Sequence, residues 1–333
     1  MEKYDSEIKM KKYLVTGYVG FVGYHFLSYL NTSKKEKISV LGIDLNLPTD
    51  FSDWSFNNLE IIHKAINLLD FDEVNSLIAE YKPTHIVHLA AFSSVGKSWQ
   101  DPSGYFTNNV GIFLNIVEAV RKNGIKCRIL NIGSSEEYGN VNENQIPILE
   151  TTKINPDNPY AVTKMSQEGL AHVYSSGFGI DIISTRSFNH IGPRQRDVFV
   201  VASFTKQVAQ AVIEGKRSLE MTTGNLNVVR DFLDVRDVVS AYYLLLEKGK
   251  SGEVYNVCSG EGVPLKNIID ELSNISGISI TNHVSPDLLR PNDIKVIVGS
   301  NEKLRNDTNW ERKYSLEQTL GDTLNYWKEQ LSK

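Results

Sequence analysis

Cysteine is scarce in this chain. Only Cys127 and Cys258 occur in 333 residues, far apart in apolar, strand-like runs. They offer no disulfide framework and read as buried, inert thiols that suit a reducing cytoplasm. Long hydrophobic runs are missing too: none reaches the roughly 18 residues of a membrane span. The opening MEKYDSEIKM is polar and lacks a signal-peptide core. Positive charge is not in excess. With a net charge of −5, no basic surface argues for nucleic acid or an anionic membrane, so a phosphorylated substrate would need local cations. Internal repeats, low-complexity tracts and flexible linkers are absent, and no metal site is expected. What remains is an ordinary globular composition, 41% hydrophobic and 23% charged, of a length that suits two domains or one large α/β domain with an added lobe. Met10-Lys11-Lys12 directly precedes the first strand, so residues 1–9 read as a disordered tail.

Short apolar strands alternate with helices through the first half. Strands are expected at 13–16, 38–43, 59–62, 85–89, 126–132 and 180–186, and helices at 20–31, 71–81, 105–122 and 160–175. Such alternation predicts a doubly wound parallel sheet with helices on both faces. After Arg186 the pattern loosens. Helices are expected at 198–214, 235–247, 264–275 and 315–331, a β-rich stretch at 218–233, and a strand at 254–257 that rejoins the sheet. The later helices build a smaller lobe, interleaved in sequence with the first.

Three local patterns carry chemistry. Thr16-Gly17-Tyr18-Val19-Gly20-Phe21-Val22-Gly23 lies between a strand and a helix. Gly17, Gly20 and Gly23 would let the backbone approach a pyrophosphate, and the helix start at Phe21 and Val22 offers unpaired N–H groups and a positive dipole end. Asp44 closes the second strand, where a carboxylate accepts from adenosine ribose hydroxyls and repels a 2′-phosphate. No arginine follows it closely, which favours NAD(H) over NADP(H). Of the fifteen tyrosines, Tyr160 alone has a lysine four residues on, Lys164. Residues so spaced share a helical face. The ammonium is expected to pull the phenol from its ordinary value of about 10 toward the working pH. Ser134 ends another apolar strand and can bond a substrate oxygen. Glu136 reads either as a second acid/base or as a group that orients a sugar.

These segments resemble the extended short-chain dehydrogenases that act on nucleotide sugars, and the likeness covers nearly the whole chain. His88-Leu89-Ala90-Ala91, Asn108-x-x-Gly111, Gly133-Ser134-Ser135-Glu136-x-Tyr138-Gly139 and Pro159-Tyr160-Ala161-Val162-x-Lys164 fall in the family's order. Arg186-Ser-Phe-Asn189-His190-Ile191-Gly192-Pro193, Gly224-Asn225-Leu226, Arg230-Asp-Phe-Leu-Asp234-Val-Arg236-Asp237, Tyr255-Asn256-Val257-Cys258-Ser259-Gly260 and Arg290-Pro291-x-Asp293 are similar to the branch acting on GDP-mannose-type sugars. Phe188-Asn-His-Ile-Gly-Pro and Phe204-Thr-Lys-Gln207 most resemble the GDP-4-keto-6-deoxy-mannose reductases, which form GDP-rhamnose. GDP-mannose 4,6-dehydratase is the sister group. Two positions depart from the pattern. Asn67-Leu68 replaces the usual Asp-Leu, and Arg194 stands where the reductases carry Gly.

The resemblance implies a Rossmann-type dinucleotide domain over 1–187, rejoined by 235–258, with 188–234 and 259–333 as an α+β nucleotide-sugar lobe. It implies that Tyr160 donates a proton to the carbon-4 oxygen, that Lys164 lowers its pKa and holds the nicotinamide ribose, and that Ser134 binds the same sugar oxygen. Gly17, Gly20, Phe21, Val22, Gly23, Asp44, Asn67, Leu68, Leu89, Ala90, Ala91 and Asn108 would hold the dinucleotide. Ser93, Ser135, Asn189, Lys206, Asn225, Arg230, Arg290 and Asp293 would meet the GDP-sugar, arginine suiting a diphosphate because its fork binds two oxygens. Reduction of a 4-keto sugar is the leading expectation. A 4,6-dehydratase acting on a GDP-hexose or GDP-heptose, with Glu136 as the extra acid/base, and a 4-dehydrogenase or epimerase are the alternatives. A homodimer through the helices at 105–122 and 159–175 is expected, as in family members.

Overall fold

Tyr13, Leu14, Val15 and Thr16 are all buried, as a parallel strand covered on both faces requires. They form β1 (Lys12–Thr16) of a computed structural model that describes residues 10–33, 37–48, 51, 54–288 and 294–333. The tail expected at 1–9, together with Arg290 and Asp293, lies outside the described residues. The first half continues with α1 (Phe21–Ser33), β2 (Ile38–Asp44), β3 (Leu59–Ala65), α2 (Phe71–Tyr81), β4 (His85–His88), α3 (Val95–Ser98), α4 (Pro102–Lys122), β5 (Arg128–Ser134), α5 (Pro159–Phe178) and β6 (Asp181–Ser187). Then come β7 (Asn189–Ile191), α6 (Val200–Ile213), β8 (Ser218–Thr223), β9 (Val229–Asp234), α7 (Val235–Lys248) and β10 (Val254–Val257). The chain closes with β11 (Gly262–Pro264), α8 (Leu265–Ser276), β12 (Ser279–Val284), β13 (Val296–Ile297), α9 (Glu302–Thr308) and α10 (Leu316–Leu331).

Seven strands pair in parallel in the order β3-β2-β1-β4-β5-β6-β10. The fold is therefore the doubly wound, Rossmann-type sheet expected from the alternation. On one face, Phe26, Leu27 and Leu30 of α1 pack with Val238, Val239 and Tyr242 of α7. On the other, Val74 and Ile78 of α2 join Ile112, Phe113 and Ile116 of α4 and Ala171 and Tyr174 of α5. A third core unites α6, α8 and α10 around Phe204, Val208, Ile268, Leu272 and Leu320. Beside it, β9 pairs with β7, β11 and β13, while β8 pairs in parallel with β12. The expected return of 254–257 to the main sheet is realised by pairing with β6.

Local chemistry sets the helix ends. Asn158 accepts the Ala161 N–H at 2.9 Å, Pro159 follows, and Gly179 ends α5 at φ 67°. These are the capping preferences of the two termini. The helix expected from 105 begins at Pro102, because Asp101 caps the Gly104 N–H at 2.9 Å and proline opens the first turn. Strand β12 was not anticipated. Its sequence SITNHV is polar and mostly exposed, so it carries no apolar period, and pairing with β8 alone makes it a strand.

A turn at Ser135–Tyr138 follows β5 and is tied across the sheet. The Tyr138 hydroxyl donates to Asn256 Oδ1 of β10 at 2.7 Å, and Asn256 donates to the Ile148 carbonyl at 2.9 Å. Replacing Tyr138 with Phe leaves the Asn256 acceptor buried and unpaired. The expected cost is about 1–3 kcal/mol of stability, read from urea unfolding; an unchanged midpoint would show the tie to be idle.

Candidate active site

All seven strands run the same way, so their carboxyl ends line one edge. The strand order reverses between β1 and β4, which is where folds of this kind bind ligands. Gly17 leaves β1 at φ 66°, a conformation open to glycine at little cost. A Cβ there would lie 2.8 Å from the Ala90 nitrogen, so the glycine turn rests directly on the loop after β4. The Thr16 hydroxyl joins the two loops, accepting from Ala90 N–H at 3.2 Å and meeting His88 Nδ1 at 2.9 Å. Gly23 packs against the Tyr18 backbone, where an added Cβ would come within 2.3 Å. Gly20 is exposed, and its missing side chain keeps the start of α1 open. A backbone cradle at a helix N-terminus fits a dinucleotide pyrophosphate.

Asp44 ends β2 and is held from two sides. Its carboxylate accepts from Val19 N–H of the glycine turn at 3.3 Å and from Leu45 N–H at 2.8 Å. Burial raises its pKa, and these backbone donors pull against that. Asn67 is exposed and accepts from Leu69 N–H at 3.0 Å, while the Leu68 side chain is buried. Leu89, Ala90 and Ala91 are half-buried beside Gly17, and Ser93 is exposed. Asn108 donates to Asn109 Oδ1 at 3.0 Å. Asn109, absent from the sequence-based set, does more. Fully buried, it accepts from Phe92 N–H at 2.8 Å, donates to the Phe92 carbonyl at 3.1 Å and donates to Thr163 at 3.0 Å. It fastens the loop after β4 to both α4 and α5. Nothing in its local sequence separates it from its neighbour.

Ser134, Tyr160 and Lys164 come together at the end of β5. Ser134 is 8% exposed, Tyr160 9% and Lys164 3%. The Ser134 hydroxyl accepts from Glu136 N–H at 3.2 Å and bonds the Tyr160 phenol. Lys164 donates to the Ile132 carbonyl at 2.8 Å, with its nitrogen 5.9 Å from the Tyr160 ring centre. The expected acidification of Tyr160 is not found. Burial raises the phenol's pKa, Ser134 opposes this, and Glu136, Glu137 and Tyr242 add to the rise. Burial instead lowers Lys164 to about 8, with Glu137 pushing it back up. Desolvation outweighs the helical neighbour because both groups lie out of water. A phenol kept in its neutral form is a proton donor.

The remaining residues are more scattered. Glu136 accepts from Asn158 Nδ2 at 2.8 Å beside the Tyr160 helix. Ser135 is buried in the turn, and Asn189 is exposed at the start of β7. Arg230 lies on β9 and donates to the Val229 and Ile294 carbonyls at 3.0 and 2.7 Å. Asn225 accepts from Asn227 N–H at 3.0 Å in the turn between β8 and β9. Lys206 on α6 pairs with Asp197 at 2.6 Å and lies over Trp327 of α10. Arg194 holds φ at 74°, the left-handed region that glycine enters freely, with its guanidinium 3.8 Å from the Tyr24 ring centre. Among the described residues no group of three His, Cys, Asp or Glu side chains converges as a metal site would, and no helix is long and apolar enough to cross a membrane.

Comparison with known proteins finds nucleotide-sugar enzymes. The profile of the family described as GDP-mannose 4,6 dehydratase matches residues 14–323. A GDP-6-deoxy-D-mannose reductase of Pseudomonas aeruginosa is 33% identical over 317 residues, covering 95% of this chain and 97% of that protein. The structure of RMD from the same organism, complexed with NADPH, superposes with a TM-score of 0.82 at 31% identity, over 96% of this chain and 98% of that one. A UDP-glucose 4-epimerase of Thermotoga maritima solved with UDP-glucose gives a TM-score of 0.85 at 28% identity, over 96% and 99% of the two chains.

The contact between Gly17 and Ala90 yields a direct test. Gly17→Ala places an L side chain at positive φ and pushes it into backbone. The expected result is a dinucleotide Kd raised at least about tenfold, the equivalent of about 1.4 kcal/mol, measured by NADH or NADPH fluorescence. An unaltered Kd would remove the glycine turn from the binding site.

Proposed function

This chain belongs to the GDP-mannose 4,6 dehydratase family, and from that membership we propose that it reduces the carbon-4 ketone of a GDP-4-keto-6-deoxy-mannose-type sugar. The supporting observation is a neutral, buried Tyr160 phenol bonded to Ser134 beside a buried Lys164, in a chain similar over nearly its whole length to a GDP-6-deoxy-D-mannose reductase. The start of α1 with Gly17 and Gly20, the Ala90-Ala91 backbone and Asp44 would hold the dinucleotide. Bound and reduced, the nicotinamide would supply a hydride to carbon 4.

Tyr160 gives its proton to the carbonyl oxygen as that oxygen gains charge. Ser134 holds the same oxygen in line. The phenolate left behind is costly in a buried site, and the Lys164 ammonium on the same helical face offsets that charge. Segments 188–234 and 259–333 form the sugar lobe in this reading, with Asn189 and Arg230 toward the GDP. The outer faces of α4 and α5 leave Phe106, Val162, Val173 and Phe178 exposed, and we assign them to a homodimer. Glu136, oriented by Asn158 and felt by Tyr160, supports a second reading, 4,6-dehydration with the dinucleotide retained.

Incubation with GDP-mannose and, separately, with its 4-keto-6-deoxy derivative, with and without NADH or NADPH, separates the two readings. Consumption of reduced dinucleotide with the keto sugar alone is expected; loss of water from GDP-mannose without added dinucleotide would favour dehydration. Tyr160→Phe should lower kcat by at least about 100-fold, and near-normal turnover would displace Tyr160 as the donor. The Asp44 carboxylate supports a preference for NAD(H). Asp44→Ala should shift the ratio of kcat/KM for NADPH over NADH upward about tenfold, about 1.4 kcal/mol, and an unmoved ratio would count against that preference.

A further inference from the structure

The proposed chemistry leaves the fully buried carboxylate of Glu137 without a task. Glu137 has no exposed surface. Its Oε1 accepts from the Ser134 backbone N–H at 2.7 Å, and its Oε2 has no hydrogen-bond partner among the described residues. A Cβ added to Gly133 would lie 2.5 Å from Oε1, so the strand end is shaped to admit this side chain. Lys164 fastens to the same short stretch of β5 through the Ile132 carbonyl. Ile132 to Ser134 thus carries the ammonium at one end and the carboxylate at the other. A buried ion held only by neutral groups is costly, and the Lys164 bond goes to a neutral carbonyl.

The other charges nearby are already matched. Arg186 of β6 gives two N–H groups to Glu168 of α5, at 2.6 and 2.9 Å, and a third to the Glu150 carbonyl at 3.0 Å. His88 of β4 is driven neutral by burial and by the lysine itself. Of the two cations that act on Glu137, Arg186 has its own carboxylate partner, whereas Lys164 is bonded only to a neutral carbonyl.

We propose that Glu137 is a positioning residue with two hands: one carboxylate oxygen fixes the backbone of Ser134, and the carboxylate charge keeps Lys164 protonated. This rests on the roles given to Tyr160 and Lys164 above. Burial and the charge of Glu168 push Glu137 up, opposed by the Ser134 N–H, Arg186 and Lys164. Glu137 is thus held above the ordinary carboxylate range, and Lys164 lies at about 8 with the upward push of Glu137 already included.

Two variants separate charge from geometry. Glu137→Gln keeps an acceptor for Ser134 but has no charge; Glu137→Asp keeps the charge on a shorter arm. Each is measured over pH for kcat with the keto sugar and, independently, for NADH or NADPH affinity by fluorescence. In Glu137→Gln the alkaline fall of both quantities should move down by about one pH unit. This would lower the ratio of kcat at about pH 8.5 to that at about pH 6.5 roughly sixfold, whereas Glu137→Asp should keep the parent's profile shape. Superimposable profiles for Glu137→Gln and the parent would overturn the proposal, as would a shifted profile in Glu137→Asp alone. Should neither protein reduce the sugar while the affinity profile still shifts, the reductase reading fails and the role of Glu137 stands.

Discussion

Lys164 lies almost wholly out of water, anchored to a strand carbonyl, and the chemistry of the site depends on what that burial costs. A solvated ammonium one turn from a tyrosine would make the phenol more acidic. Buried, the same ammonium gives up part of its own basicity, and the neighbouring phenol becomes harder to ionise. Loss of water is the largest cause of both shifts. A donor that keeps its proton until an oxygen nearby gains charge is suited to reduction of a ketone.

The glycine turn shows the same economy in backbone. Gly17, Ala90 and Thr16 bring the ends of β1 and β4 into direct contact, at the point where the strand order reverses. Side chains are excluded there by geometry, and the helix start beyond stays open. Asn109 then fixes the β4 loop to α4 and α5, and the Tyr160 helix is one of its two anchors. The loop after β4 and the start of α5 are thereby tied to one side chain.

Residues that act within a few positions of one another were legible in the sequence. The glycine spacing, Asp44 closing an apolar run and the four-residue step from Tyr160 to Lys164 need only local geometry to be read. Other features have no local sign. Strand β12 is polar along its length and exists through its pairing with β8. Asn109 stands beside an equally plausible Asn108, and only the packing of three segments chooses between them. Lys206 pairs with Asp197 and lies over Trp327, and the second contact exists only because α10 packs on α6 from more than a hundred residues away.

Alternation of apolar strands and helices, and the spacing of a few glycines, hydroxyls and one lysine, determined the fold class and the inventory of reactive groups. These depend on periodicity and chain geometry, which the order of residues encodes directly. Tertiary structure decided the state of those groups: which carboxylate is buried, which asparagine bridges, and whether Tyr160 gains or loses acidity. Desolvation depends on everything that covers a group, and at Tyr160 the cover comes from strands, helices and turns far apart in the chain.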